Sequence, residues 1–274
     1  MMKKMLKILA LGMAATMMTA ALAACGGNSG SGSTASTPEG STGATDAAAQ
    51  FDLATDGKLT MGTNAEFPPF EFKEGGAVVG VDAGIMEEIA NRLGLELEIK
   101  DMAFESLPEA LSGKTIDVIA AGYTIKPDRE ETMDFTDTYY EAKQTILVKS
   151  DSTFASKDDL TDKKIGVQTG TTGSSCAEEL TAKENVKGYN NGSLAVEALL
   201  GGEVDAVIID NNPAKEYKNQ HGDKVKLIEN QFEEEEYAIA VRKGDKALLE
   251  AINGALKEMK ADGKFQEIVD QYIK

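Results

Sequence analysis

Two stretches of the chain, ALSGKTIDVIAAG at 110–122 and LLGGEVDAVIIDN at 199–211, repeat one pattern: a helix end, a glycine, an acid and then an apolar strand, with one residue fewer in the second. A run such as TIDVIAAG is apolar on both sets of alternating positions, which predicts a strand buried on both faces and hence a sheet covered by helices. Helix–glycine–strand units occur throughout α/β proteins, so the recurrence alone leaves open whether the chain has two similar halves or one ordinary sheet. If there are two halves, each places a strand end where α/β folds bind ligands.

Short apolar strands alternate with amphipathic helices from Lys58 onward, which predicts α/β architecture. KLTMGT reads as the first strand. VDAGIMEEIANRLG reads as a helix capped by Asp82, buried through Ile85, Ile89 and Leu93, and ended by Gly94. LELEIK is the next strand and SLPEALSG a short helix. A second half, from about Thr145 to Glu234, holds a strand in KKIGVQTG, a helix from Thr172, strands near Val186 and Asp205, and another at KVKLI. YAIAV is read as a final strand, followed by helices over 245–262 and 263–273. Their apolar faces need a partner, and the first half is the natural one, so the chain is expected to cross twice between the halves.

The chain has 274 residues and 42% hydrophobic content, enough for one large or two medium cores. Lys and Arg number 28 against 46 Asp and Glu, a net charge of −18. Such an excess of acid argues against a nucleic-acid surface, which needs clustered cations, and against adhesion of the folded part to anionic lipid. The N-terminus differs: Lys3, Lys4 and Lys7 precede an apolar run from Ile8 to Ala24, and no acid occurs before Glu39. This predicts an export signal over 1–24, since the run is short and rich in Ala, Thr and Met for a membrane span. LAAC at 22–25 resembles a bacterial lipobox, with Cys25 as the lipidated new N-terminus; ordinary cleavage beside an incidental cysteine is the other reading. The small polar stretch that follows predicts a flexible linker reaching to residue 57. Without Cys25 only Cys176 remains, so no disulfide is expected within the domain, and Cys176 reads as a buried helix residue.

Enzyme chemistry is poorly supplied. The one histidine, His221, lies in the polar stretch KNQHGDK, which starves both a nucleophile–histidine arrangement and a zinc site. TGTTGSS at 169–175 follows a strand but lacks the Lys-Ser/Thr ending of a phosphate-binding loop. It can present backbone N–H groups at a helix start to a small anion, or Thr171 or Thr172 can simply cap that helix. Arg129 can hold a carboxylate through two parallel hydrogen bonds, or pair at the surface with Asp128 or Glu130. Asp210, at the end of the second repeated strand, can neutralise an ammonium or cap the helix beginning NNPAKEY. One ligand class satisfies all of them: an α-amino acid zwitterion held between two halves that close on it.

The motifs GTNAEFPPFEF (62–72), VVGVDAGIMEEIA (78–90), IDVIAAGYTIKPDREETMDFTDTYY (116–140), IGVQTGTTG (165–173) and VDAVIIDN (204–211) together resemble the family 3 solute-binding proteins, the polar amino-acid receptors of ABC importers. The resemblance covers about residues 58–274. It implies a two-lobed, type II periplasmic-binding-protein fold with two hinge strands and a cleft between lobes, lobe 1 being 58–143 plus 235–274 and lobe 2 being 144–234. It further implies that Arg129 takes the α-carboxylate with Thr171 and Thr172. Gly122, Thr124 and Asp210 would hold the α-ammonium, and Phe67 and Phe104 would sandwich the side chain, while Phe70 and Phe72 read as core. Relatives selective for cationic side chains carry aspartate where this chain has Asn64. Glu66 and Gln168 are expected to add polar contacts, exposure at the cleft rim being the other reading of Glu66, and Tyr123 a hydroxyl near the ammonium.

The expectation is a monomeric lipoprotein, anchored outside the cytoplasm, that captures a polar L-amino acid, basic ones included, and delivers it to a membrane permease. It needs no cofactor or metal and binds no nucleic acid. The acidic run 233–236 reads as a solvated segment before the second hinge strand. The alternative is an enzyme on the same scaffold, similar to cyclohexadienyl dehydratases, with Glu66 as its candidate acid or base.

Overall fold

The computed structural model describes residues 51–273. The expected signal sequence, the lipidation site Cys25 and most of the expected linker lie outside them. Fourteen strands occur among the described residues: β1 (Lys58–Thr63), β2 (Glu66–Phe67), β3 (Glu71–Glu74), β4 (Ala77–Val79), β5 (Glu96–Asp101), β6 (Val118–Ile119), β7 (Met133–Phe135), β8 (Tyr140–Lys149), β9 (Ile165–Gln168), β10 (Val186–Tyr189), β11 (Ala206–Asp210), β12 (Val225–Ile228), β13 (Glu234–Tyr237) and β14 (Ala240–Arg242). They build one sheet in the order β5-β1-β6-β14-β7, a second in the order β10-β9-β11-β8-β12, and a small sheet β2-β3-β4.

The two large sheets share one topology. In each, three parallel strands place the earliest in the middle, β5-β1-β6 and β10-β9-β11, and an antiparallel strand follows, β14 or β8. The repeated units form β6 and β11, and their acids do the same work. Asp117 N–H donates to the Thr60 carbonyl at 2.8 Å while its Oδ2 accepts from Thr60 N–H at 2.9 Å. Asp205 makes the same pair with Lys164, at 2.8 and 2.9 Å. A short acid at the strand start thus pins register to the neighbouring strand in both halves.

β8 carries the chain from the first sheet into the second, to which it belongs: Tyr140–Lys143 pair with β13, and the remainder pairs with β11 and β12. The chain returns through β13. The expected single strand YAIAV is therefore broken, ending one strand at Tyr237 and starting another at Ala240, because the chain changes sheets there.

Helix Val81–Leu93 buries Val81, Ile85, Met86 and Ile89, and Gly94 closes it in the left-handed conformation with N–H bonds to the Ala90 and Asn91 carbonyls. Asp82 does not cap it. The N-cap position is Gly80, and Asp82 is turned inward, accepting from Gly122 N–H and the Tyr139 hydroxyl, both at 2.8 Å. Helices Lys246–Asp262 and Lys264–Tyr272 pack on this helix, as their apolar faces required. Leu248, Ile252, Leu256 and Met259 are buried there, each side chain stabilising by about 1.5–3 kcal/mol relative to exposure. Residues 51–57, expected as the end of the linker, instead pack on the first sheet. Phe51 and Leu53 lean on the core, and Ala54 N–H donates to Asp117 at 2.7 Å.

Candidate functional site

β6 runs into a bend at Gly122, whose φ of 52° is left-handed. A Cβ there would stand 2.7 Å from Phe67 Cε1, so glycine alone lets the strand turn against that ring. The chain then passes Thr124 and enters the short helix Pro127–Glu130, which returns Arg129 to the strand end. Arg129 is only 9% exposed. It donates from Nη1 to the Thr124 carbonyl at 2.7 Å and from Nη2 to the Gly170 carbonyl of the second lobe at 3.1 Å. Its guanidinium carbon sits 4.0 Å from the Tyr123 ring centroid and 5.7 Å from that of Phe104. The surface pairing with Asp128 or Glu130 is not formed; Asp128 approaches Lys126 instead, at 3.9 Å. A guanidinium has five N–H donors, so donors remain for a carboxylate. Burial works against the charge and pulls its pKa below the usual value.

The second lobe contributes two further termini. β9 ends at Gln168, and Thr171 caps helix Thr172–Leu180, accepting from Ser174 N–H at 3.3 Å. The first backbone N–H groups of this helix are a ready site for an anion. β11 ends at Asp210. Although it occupies the N-cap position of helix Asn211–His221, its side chain makes no capping bond and accepts from the Tyr237 hydroxyl at 2.5 Å. Burial first, and the neighbouring Glu235 charge second, push the Asp210 carboxyl up to about 7.

These groups converge on one interlobe cleft. Of the twelve residues expected at the site, all but Glu66 and Tyr123 line it. Glu66 is exposed at the rim, bonded across the mouth to Asn191. Tyr123, expected to add a hydroxyl near a ligand ammonium, does not line the cleft. Strand alternation turns its side chain away from that of Thr124, so its ring forms the floor under Arg129, packed between Phe104 and Phe135. Phe67 faces the cleft while Phe70 is fully buried against Tyr140 and Tyr237. Gln168 Nε2 donates to Asn64 Oδ1 at 2.9 Å, and Lys126 Nζ to Ser175 Oγ at 3.0 Å, so polar bonds tie the lobes together on several sides of the cleft. Cys176 is half-buried, and burial pushes its thiol up to about 11, which keeps it protonated.

Two acids escaped the sequence reading. Glu71, in the small sheet, is 1% exposed and lines the cleft. Its Oε2 and Asp82 Oδ1 both lack hydrogen-bond donors. Burial, then the Asp82 charge, raise Glu71 well above the carboxylate range, and burial lifts Asp82 to about 6. One shared proton would satisfy both orphaned oxygens. Glu235 belongs to the acidic run, which is not uniformly solvated: Glu234 and Glu236 are exposed, while Glu235 is turned inward on the same face as Tyr237. The period of two along an extended hinge strand was the available signal.

Two α/β lobes joined by paired strands, with a cation and an acid facing one cleft from different lobes, define a ligand-clamping binding protein. The chain belongs to the bacterial extracellular solute-binding proteins, family 3, whose model matches residues 59–274. It is similar to the arginine-binding extracellular protein ArtP of Bacillus subtilis, 35% identical over 220 residues covering 79% of this chain and 86% of the relative. Among solved structures, an ancestral arginine-binding protein seen with arginine and with glutamine matches with a TM-score of 0.76 at 42% identity, covering 80% of this chain and 99% of that one. The arginine-, lysine-, histidine-binding protein ArtJ of Geobacillus stearothermophilus matches with a TM-score of 0.76 at 37% identity, covering 79% of this chain and 95% of that one.

Proposed function

We propose that this protein captures a polar L-amino acid outside the cytoplasm and hands it to the permease of an ABC importer. The observation that carries this is the polarity of the cleft. Arg129 and the Thr171–Thr172 helix start are positive at one place, and Asp210 is negative at another, matching the carboxylate and ammonium of one zwitterion. Asn64, Gln168, Phe67 and Phe104 are left to meet the side chain. The relatives named for arginine, lysine and histidine, and the ancestral protein seen with glutamine, support a side chain that is long and nitrogen-bearing. The absence of an acid at Asn64 fits a neutral nitrogenous group as well as a cationic one.

The lobes are assigned as 58–143 plus 235–274 and 144–234, a division supported by the two sheets and the β8–β13 pair. Capture is by closure: the lobes desolvate the charges as they meet around the ligand. Anchoring through lipidated Cys25, and action as a monomer, belong to the same proposal. Among the described residues no helix is long and apolar enough to cross a membrane. Binding without turnover is favoured because the relatives are named for binding and Glu66, the candidate acid for a dehydratase, lies at the rim against Asn191. Glu71, the acid that does line the cleft, is tested by assaying turnover.

A thermal-shift screen of the twenty standard amino acids with ornithine, citrulline and cystine tests this. A rise in melting temperature with arginine, lysine, histidine or glutamine is expected. No rise with any amino acid, or turnover of prephenate or arogenate above buffer, would overturn it.

A further inference from the structure

We propose that Glu235 is a positioning residue for the ammonium end of the cleft: one carboxylate oxygen on the returning hinge strand fixes a hydroxyl from each lobe and sets the charge that the ligand ammonium meets. This rests on the assignment of Asp210 to the ammonium.

Glu235 Oε2 accepts from Thr124 Oγ1 at 2.9 Å and from Thr172 Oγ1 at 2.8 Å, and Gln144 Nε2 approaches it at 3.5 Å. Thr124 belongs to the first lobe and Thr172 to the second, so this oxygen is a shared acceptor of the closed arrangement. A hydroxyl has one proton and two lone pairs. With its proton committed to Glu235, Thr124 Oγ1 can only accept from anything in the cleft, which suits an ammonium and rejects an anion. Thr172 already accepts from Gln144 Nε2 at 3.0 Å and donates to Glu235, so its hydroxyl is satisfied and its backbone N–H is what remains for a carboxylate. Glu235 therefore sorts the two ends of the ligand.

The same carboxylate acts on Asp210. The groups that bear on Asp210 are the Tyr237 hydroxyl on β13, Gln144 on β8, Glu235 on β13, Glu71 on β3 and Arg129 in the short helix. Glu235 is the neighbouring charge that resists ionisation of Asp210 most, after burial itself. Because an ammonium is held best by ionised Asp210, affinity should rise with pH through an acid limb whose position Glu235 helps to set.

The test is calorimetric titration of the full folded chain with L-arginine, L-histidine and L-glutamine from about pH 5 to about pH 8.5, spanning the limb, for wild type, Glu235→Gln, Glu235→Asp and Asp210→Asn. Glu235→Gln should bind about tenfold more weakly at the alkaline end, the loss of one charged contact, and its acid limb should move to lower pH. Glu235→Asp keeps the charge but shortens the reach to the hydroxyls, so affinity should fall while the limb stays near its wild-type position. If Glu235→Gln melts well below wild type, Glu235→Asp carries the decision by this split between affinity and limb. Unchanged affinity, or an equal loss at every pH, would overturn the proposal. Asp210→Asn separates the two claims: with L-arginine and L-glutamine, whose side chains do not titrate in this window, it should remove the part of the limb due to Asp210 and leave only that of Glu71 and Asp82. A limb unchanged from wild type overturns the ammonium assignment itself. No heat from wild type with any of the three titrants overturns the reading on which both rest.

Discussion

The strand ends of the two repeated units, β6 and β11, meet the same cleft with opposite chemistry. Both begin with an aspartate in a reciprocal hydrogen-bond pair with the adjacent strand, Asp117 with Thr60 and Asp205 with Lys164. β6 is followed by residues with little or no side chain, Ala120, Ala121 and Gly122, and the turn beyond supplies a cation. β11 ends in an acid. The common half of the unit sets register, and the variable half, at the strand's C-terminal end, carries the charge the ligand meets. The difference at the start is one of burial. Asp117 is fully buried and paired with Arg242 at 3.2 Å, whereas Asp205 is exposed.

The largest effect on this comparison should come from Arg129→Ala, which removes the cation of the β6 side. Losing one partner of a buried charged contact costs about 2–5 kcal/mol, so affinity for every amino acid should fall by about thirtyfold or more. Calorimetry checks it; retained affinity for any ligand breaks the assignment of the two ends.

Next in size is the contrast between the two strand-start acids. Asp117→Asn takes one of two acids from buried Arg242, leaving Asp245 at 3.3 Å, and should cost about 1.5–3 kcal/mol of stability, the loss of hydrogen bonds to a charged group. Asp205→Asn, in the same hydrogen-bond geometry but exposed, should cost about 1 kcal/mol. Urea unfolding of both measures the gap, and equal losses would show that the bonding pattern rather than burial governs these sites.

The smallest effect, and the one with a sign, concerns Asp210. Its folded carboxyl titrates at about 7 because burial, then Glu235, disfavour its charge, against an ordinary value of 3.8. Between those values the folded chain holds a proton that the unfolded chain has lost, so this group's contribution falls as pH rises through the window. Asp210→Asn removes that loss while keeping an acceptor for Tyr237. Without ligand it should melt a few degrees above wild type at about pH 8 and level with it at about pH 4, by thermal denaturation. An unchanged difference between the two pH values would contradict the cause assigned here. A difference that appears only at the alkaline end makes this cleft acid a site that costs stability for function.

Much of the cleft was legible because its parts are strand ends and helix starts. Gly122, Thr171, Thr172 and Asp210 sit where periodicity stops, and stopping points can be read locally. Glu71 was not legible, since nothing in PPFEF distinguishes a carboxylate on a short hairpin from an exposed one. Asp82 stood where a helix cap was expected, and only the approach of Gly122 and Tyr139 gave it other work. Tyr123 lay in the right segment, but its ring took the opposite side from the Thr124 hydroxyl because consecutive residues of an extended chain face apart. Glu235 was hidden by its neighbours: four consecutive glutamates read as solvated charge until the pairing of one strand turned Glu235 inward and left the other three exposed.

By itself the sequence determined the α/β alternation, the two repeated units, their boundaries at glycine, and the presence of one arginine and one aspartate at equivalent ends. These follow from spacing and turn chemistry, which act over a few residues. Only the tertiary structure decided which carboxylates share the cleft, that Arg129 reaches the Gly170 carbonyl of the other lobe, and that Glu235 joins a hydroxyl from each. Those contacts link residues far apart in the chain, and their chemistry exists only when closure removes the water between them.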